Sequence, residues 1–205
     1  MIVIRSRHLI LTGIVAMSVT ASGVSGSDSS ERTSAPMLRT TCDAAATGSV
    51  FATEQRPDTP FTIQLPRLTG WQVRQGEGGD LVLYRLDRHA GRIGGATVTV
   101  GVSRPAIAVT TITAFMVDDT WQQSRSETVG VCGQRAIRAS GIEPASGADG
   151  VDLYHEYLGF SYMTDGMKYP IGMSAKATAA DRDRYQPDID AFVDGLQIVR
   201  IPPTS

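Results

Sequence analysis

The chain has no asparagine and only two lysines, Lys168 and Lys176, beside 17 arginines. Lys and Asn have AT-rich codons, so the skew points to a GC-rich genome rather than to any feature of folding. Histidine is nearly as scarce: His8, His89 and His155 are the full set. That leaves little for a Ser-His-Asp hydrolase or a His-rich metal site. No G-x-S-x-G sequence presents a serine nucleophile. His155 and Glu156 are adjacent, so on a strand they point to opposite faces and cannot share a metal. The acidic groups Asp118-Asp119 and Asp181, Asp183, Asp188, Asp190 read as complements to helix dipoles. Gly76-Glu-Gly-Gly79 and Gly91-Arg-Ile-Gly-Gly95 precede strands, whereas a phosphate cradle needs a helix after the glycines. No catalytic, cofactor-binding or metal-ligating residue is therefore assigned, and no cofactor is expected.

Long apolar runs are also missing, with one exception at the start. Arg5, Arg7 and His8 precede the apolar stretch Leu9 to Val19, and small residues follow from Thr20 to Ser30. This order is that of a secretory signal. The run is too short for a membrane span, which needs about 20 apolar residues. The expected division is a signal over 1–26, a flexible Ser/Thr/Ala-rich tether over 27–50 and one globular domain over 51–201. Val24-Ser25-Gly26 would suit a lipoprotein signal, but Ser27 stands where the acylated Cys would be, so no lipid anchor is expected. Without Arg5 and Arg7, 17 basic residues remain against 21 acidic ones. A mildly acidic domain is a poor nucleic-acid binder, and it has no electrostatic pull towards anionic lipid.

Cysteine is limited to Cys42 and Cys132. An even pair in an oxidising compartment reads as a disulfide. Closing so long a loop is worth roughly 4–5 kcal/mol in the chain-entropy model. The alternative, a catalytic thiol, would have to find its base in His89 or His155.

What the sequence does have is β-pattern. Phe61 to Leu65 alternates and stops at Pro66; Trp71 to Arg74, Leu81 to Leu86 and Ala96 to Val102 follow, with turn residues between them. Thr128 to Val131 and Arg135 to Ser140 pair across Gly133. Asp152 to Met163 and Tyr169 to Ala177 pair across Thr164-Asp-Gly166. In the long strand, Tyr154, Leu158, Phe160 and Tyr162 share one face, while Leu153, Tyr157 and Met163 share the other. A strand apolar on both sides is covered on both sides. Two helices supply the cover. One runs from Thr110 or Thr111 to about Ser124. The other carries Tyr185, Ile189, Phe192, Val193 and Leu196 on one stripe, with Pro187 in its first turn and a separate turn over Asp181 to Arg184. A short strand, Leu196 to Ile201, closes the chain. The expected fold is α+β: an antiparallel sheet covered by helices on both faces, an α/β/α sandwich.

Phe61-Thr-Ile-Gln-Leu-Pro66 with Gly70-Trp71 resembles the "F-x-I-x-x-P-x-G-W" opening of the Mog1/PsbP-like fold. With the export signal, the tether, the Cys132-Gly133 step before a strand and the closing helix, the chain resembles the LpqN/LpqT family of mycobacterial envelope lipoproteins over about residues 42–201. The resemblance implies an envelope-facing, non-enzymatic adaptor or lipid-related binding module, and it carries no catalytic residues.

The basic loop of Arg85, Arg88, His89 and Arg92 reads as a solvated hairpin. The candidate binding surface is instead an apolar groove of Tyr154, Tyr157, Phe160, Tyr162 and Met173, joined by Trp121 at the end of the first helix; tyrosine and methionine suit adaptable contacts. The leading expectation is a secreted cell-envelope accessory protein that binds an envelope lipid or envelope protein there. The alternatives are an extracytoplasmic hydrolase of wall or lipid esters, and a purely structural or interaction domain.

Overall fold

The computed structural model describes residues 48–76, 79–89, 92–105, 120–146 and 150–202. The chain divides into two units, Met1–Ser34 and Ala35–Ser205, and all described residues belong to the second. The expected signal, most of the expected tether and Cys42 lie outside the described residues.

Among the described residues, ten strands form two antiparallel sheets. The small sheet has β1 (Val50–Ala52), β2 (Phe61–Pro66) and β10 (Gln197–Arg200), with β2 between the other two. The large sheet has seven strands: β3 (Gln72–Gln75), β4 (Leu81–His89), β5 (Arg92–Val102), β6 (Gln122–Val131), β7 (Gln134–Glu143), β8 (Leu153–Thr164) and β9 (Met167–Thr178). Its order is β3-β4-β5-β9-β8-β7-β6. Two meanders, β3 to β5 and β6 to β9, are thus joined side by side through β5 and β9, and β6 ends up at the far edge.

Turn chemistry sets two of these pairings. Asp165 and Gly166 both have positive φ, 52° and 74°, as do Cys132 and Gly133 at 53° and 68°. Two consecutive left-handed residues make the tight hairpin turn whose twist matches the flanking strands. Asp-Gly is a favoured pair there. Cys132 accepts the same conformation without being glycine, and its side chain packs, partly buried, against the core. Its expected disulfide partner, Cys42, is not among the described residues, so the bridge stays an expectation.

One face of the large sheet is the core face. Alternate residues of β4, β5, β8 and β9 bury there: Leu81 and Leu83, Val98 and Val100, Leu158 and Phe160, Ile171 and Met173. Helix α1 (Arg182–Gly195) lays Tyr185, Ile189, Phe192 and Val193 on it. The small sheet packs beside the helix, where Phe61 meets Tyr162 and Tyr169 edge-on at 5.1 and 5.2 Å.

This corrects the expected fold class. Among the described residues there is one α-helix, preceded directly by a 3-10 turn (Ala179–Asp181). The described residues are mostly β, in two sheets, and among them helices do not cover both faces. The predicted helix from Thr110 or Thr111 to Ser124 is corrected at its end: Gln122 to Ser124 open β6. Residues 106–119 lie outside the described residues. Gln122, Gln123 and Ser124 carry no apolar periodicity, so the strand pairing with β7 decides the conformation there. The second helix has the predicted apolar stripe but starts earlier, at Arg182. Pro187 therefore sits inside it rather than in its first turn; its missing N–H forfeits one helical bond, and burial of the stripe holds the helix regardless.

A polar cleft between the helix and the sheet edge

Alternation along β8 puts Tyr154, Glu156, Leu158, Phe160 and Tyr162 on the core face. The apolar members fill the core, but Glu156 breaks the pattern: a carboxylate in the middle of a core face, 2% exposed. An isolated buried charge would be very costly. Three hydrogen bonds to it prevent that. Arg138 Nε, from β7, donates to Glu156 Oε1 at 2.7 Å. Tyr154 Oη donates to Oε2 at 2.7 Å and Gln186 Nε2, from α1, to the same oxygen at 2.8 Å. The Arg138 guanidinium continues to Asp190 of α1. One buried carboxylate therefore ties β7, β8 and α1 together.

These residues floor a cleft of about 620 Å³ between α1 and strands β6 to β8. Arg182, Gln186 and Asp190 form one wall; their i, i+4, i+8 spacing puts them on one helix stripe. Arg125 and Glu127 of β6 and Ser140 of β7 form the other. Arg182 lies over the Tyr154 ring at 4.9 Å. Burial and then the Glu156 contact push the Tyr154 hydroxyl up to about 12, so it stays a neutral donor throughout the physiological range. Arg138 is opposed by burial, yet Asp190 and Glu156 outweigh that and raise its pKa.

Two polar atoms in this cleft are buried without a hydrogen-bond partner: Arg182 Nε, a donor, and Gln186 Oε1, an acceptor. The Gln186 amide orientation is not arbitrary. Its nitrogen faces Glu156 and Asp190 at 2.8 and 3.1 Å, and two carboxylates accept only from the N–H₂ end. The oxygen must therefore point away from them. Buried orphans are rare and call for a water, an ion or a ligand.

The other flank of α1 is anchored differently. Trp71 packs edge-on against Phe192 at 5.0 Å, and its Nε1 donates to Asp188 at 2.8 Å. Arg85 also reaches Asp188, at 2.7 Å, and Asp87 at 2.9 Å. Arg85, expected in a solvated basic loop, instead pairs with α1 across the sheet. Asp188 and Asp190 are in the middle of the helix with specific cationic partners, rather than at its start complementing a dipole.

The six residues expected to form one apolar groove divide between two faces. Tyr154, Phe160, Tyr162 and Met173 are buried on the core face. Of these four, Tyr154 lines the cleft beside α1. Tyr157 and Trp121 are half-buried on the opposite face. Trp121 precedes β6 and stacks on His155 with ring centroids 4.9 Å apart. Tyr157 lies over Gly172, where a Cβ would stand 2.6 Å from the Tyr157 hydroxyl, and lines a second cleft of about 530 Å³ with Asp80, Arg56 and Ser174. His155 Nε2 is 2.6 Å from Glu143 Oε2. Burial first, and then the Lys176 charge, lower its pKa. Among the described residues no group of three or more His, Cys, Asp or Glu is placed to hold a metal, and no helix is long and apolar enough to cross a membrane.

Sequence reasoning missed the cleft because its key residues looked ordinary. The available signal was Glu156 at an apolar position of the long strand: a charge in a core register needs partners, and Arg138 lies in the neighbouring strand of the meander.

No protein-family model matches the chain, and no curated protein matches it. A solved structure described as "Crystal structure of LpqN involved in cell envelope biogenesis of Mycobacterium tuberculosis" is similar with a TM-score of 0.42 and 10% identity, over 74% of this chain and 91% of that one. Function does not follow from a likeness at that level.

Proposed function

We propose that this chain is an exported cell-envelope accessory protein that acts without catalysis, binding a small anionic, hydroxyl-bearing ligand in the cleft beside α1. The export assignment rests on the N-terminal sequence pattern, and the non-catalytic reading on a sequence with no G-x-S-x-G and, beyond residue 26, only His89 and His155 as imidazole bases. One observation carries the choice of site: Arg182 Nε and Gln186 Oε1, a donor and an acceptor one helical turn apart, are both buried and unpartnered in the same cleft. A phosphate or carboxylate oxygen suits the guanidinium, and an adjacent hydroxyl suits the amide oxygen. The head of an envelope lipid has that chemistry. The volume is within the range of small-molecule sites. The apolar groove first expected is replaced in this reading by a polar one, because Phe160, Tyr162 and Met173 are committed to the core while Tyr157 and Trp121 lie on the opposite face.

Native mass spectrometry of the protein purified from its own envelope, together with calorimetric titration with glycerol 3-phosphate, tests this. We expect a retained anionic molecule, and saturable binding that Arg182→Ala and Gln186→Leu each weaken about tenfold or more. A protein that co-purifies with nothing and gives no heat with the phosphate ester would refute the reading.

A further inference from the structure

The two edges of the large sheet differ. β3 ends it with four residues, while β6 ends it with ten. β1 and β10, the edges of the small sheet, have three and four. Among the described residues no strand pairs with the outer edge of β6, and Gln122 to Thr128 are exposed. Long open edges invite pairing with another chain, and proteins usually block them with Pro, Lys or bulges. β6 contains neither Pro nor Lys. Its one irregularity falls between Gln122 and Arg125; from Arg125 to Val131 the register with β7 is unbroken.

We propose that the chain associates with a second copy of itself through antiparallel pairing of the β6 edges about a two-fold axis at Ser126. Opposed residues in an antiparallel pair must share both a face and a hydrogen-bonding direction, so a two-fold pairing centres on a residue. Centred on Arg125 or Glu127, it would set like charges against each other. Centred on Ser126, it sets Arg125 of each copy opposite Glu127 of the other, with Ser126 facing Ser126. Opposed unlike charges stabilise a cross-strand pair and like charges destabilise it. Arg125 and Glu127 lie on the same face, opposite Ser140 and Arg138 of β7, and Arg125 has no ion pair among the described residues. The second copy's Glu127 supplies one. The paired stretch is short, so association is a concentration-dependent equilibrium rather than a permanent dimer.

Sedimentation velocity from low micromolar to millimolar protein tests this, in buffer of low ionic strength. We expect a reversible monomer–dimer equilibrium. Arg125→Glu and Glu127→Arg each turn two attractive contacts into two repulsive ones, and each should weaken dimerisation about tenfold or more. The double variant restores the pairing, and so does an equimolar mixture of the two single variants, whose edges are complementary to each other. A monomer at every concentration overturns the proposal. So do single variants that dimerise as well as the parent, or a double variant and mixture as weak as the singles. Arg125 and Glu127 also wall the cleft, so the variants are compared by sedimentation alone, without added ligand, and a change in what the cleft binds neither supports nor overturns the pairing.

Discussion

Arg138→Met is the most direct test of the network that joins the helix to the sheet. It deletes a guanidinium that donates to Glu156 at 2.7 Å and also holds Asp190, while keeping most of the apolar stem. Removing one member of a buried ion pair costs about 3–5 kcal/mol, because the other charge is left uncompensated. Two features here reduce that. The Arg138 side chain is 24% exposed, and Glu156 keeps donors in Tyr154 and Gln186. The expected loss is about 2–3 kcal/mol, or a melting temperature lower by about 4–12 °C for a domain of this size. Urea unfolding at pH 7 measures it, with an unchanged m-value as the sign that the unfolding transition is otherwise the same. The second arm is Arg138→Met with Glu156→Leu. If the cost comes from the stranded carboxylate, removing it should return at least about 1 kcal/mol, since apolar replacements of buried pairs are often neutral. Tyr154 and Gln186 would keep Ser140 and Asp190 as partners. A single variant within about 0.5 kcal/mol of the parent, or a double variant no more stable than the single, would refute this account of Glu156.

Trp71→Phe keeps an edge-on ring against Phe192 but loses the Nε1–H donated to Asp188; unfolding experiments should show a loss of about 1–1.5 kcal/mol, whereas Trp71→Ala should cost about 3–5 kcal/mol. His155 has its pKa lowered by burial and Lys176, so the unfolded chain takes up the proton first as pH falls below about 6.5. The stability present above that value should decline down to the lowered folded pKa, and His155→Gln should remove this part of the slope when parent and variant are compared across pH 7.5 to 4.5. Gly172→Ala brings a methyl against the Tyr157 hydroxyl and should cost about 1–3 kcal/mol, while Gly130→Ala, with nothing within 4 Å of its Cβ, should fall within about 0.5 kcal/mol of the parent in the same assay.

Much of the sheet was legible because alternation is a local signal. Phe61 to Leu65, Leu81 to Leu86 and the long pair across Asp165-Gly166 were readable from side-chain order and turn residues, and the stripe Tyr185, Ile189, Phe192, Val193 marked the helix face. Other features depended on non-local pairing. β6 reads as polar and nearly aperiodic, Gln-Gln-Ser-Arg-Ser-Glu, because an edge strand leaves most of its side chains in water; only its ladder with β7 makes it a strand. The groove misled because aromatic residues at alternate positions look the same in a core as on an open surface. What decides is the cover, and the cover over Phe160, Tyr162 and Met173 comes from α1 and the small sheet, not from neighbouring positions in the sequence.

The polar residues then explain what an apolar stripe alone leaves undetermined. Burying Ile189 fixes which side of α1 meets the sheet, but a helix on a greasy face can still roll or slide at little cost. Asp188 and Asp190 flank Ile189 by about 100° on either side. One is held by Trp71 and Arg85, towards β4; the other by Arg138, on β7. A roll in either direction lengthens one set of contacts and compresses the other. The two carboxylates thus act as opposed stays, and the helix keeps one rotation across the central strands β5, β9 and β8. That rotation is what presents Arg182 and Gln186 to the cleft. Neutralising Asp188, which lies on the far flank and touches no cleft residue, should therefore loosen the cleft wall as well as the Trp71 corner. Hydrogen exchange at the amides of Arg182 to Gln186 in Asp188→Ala measures this: faster exchange there supports the two-sided clamp, and protection equal to the parent's contradicts it.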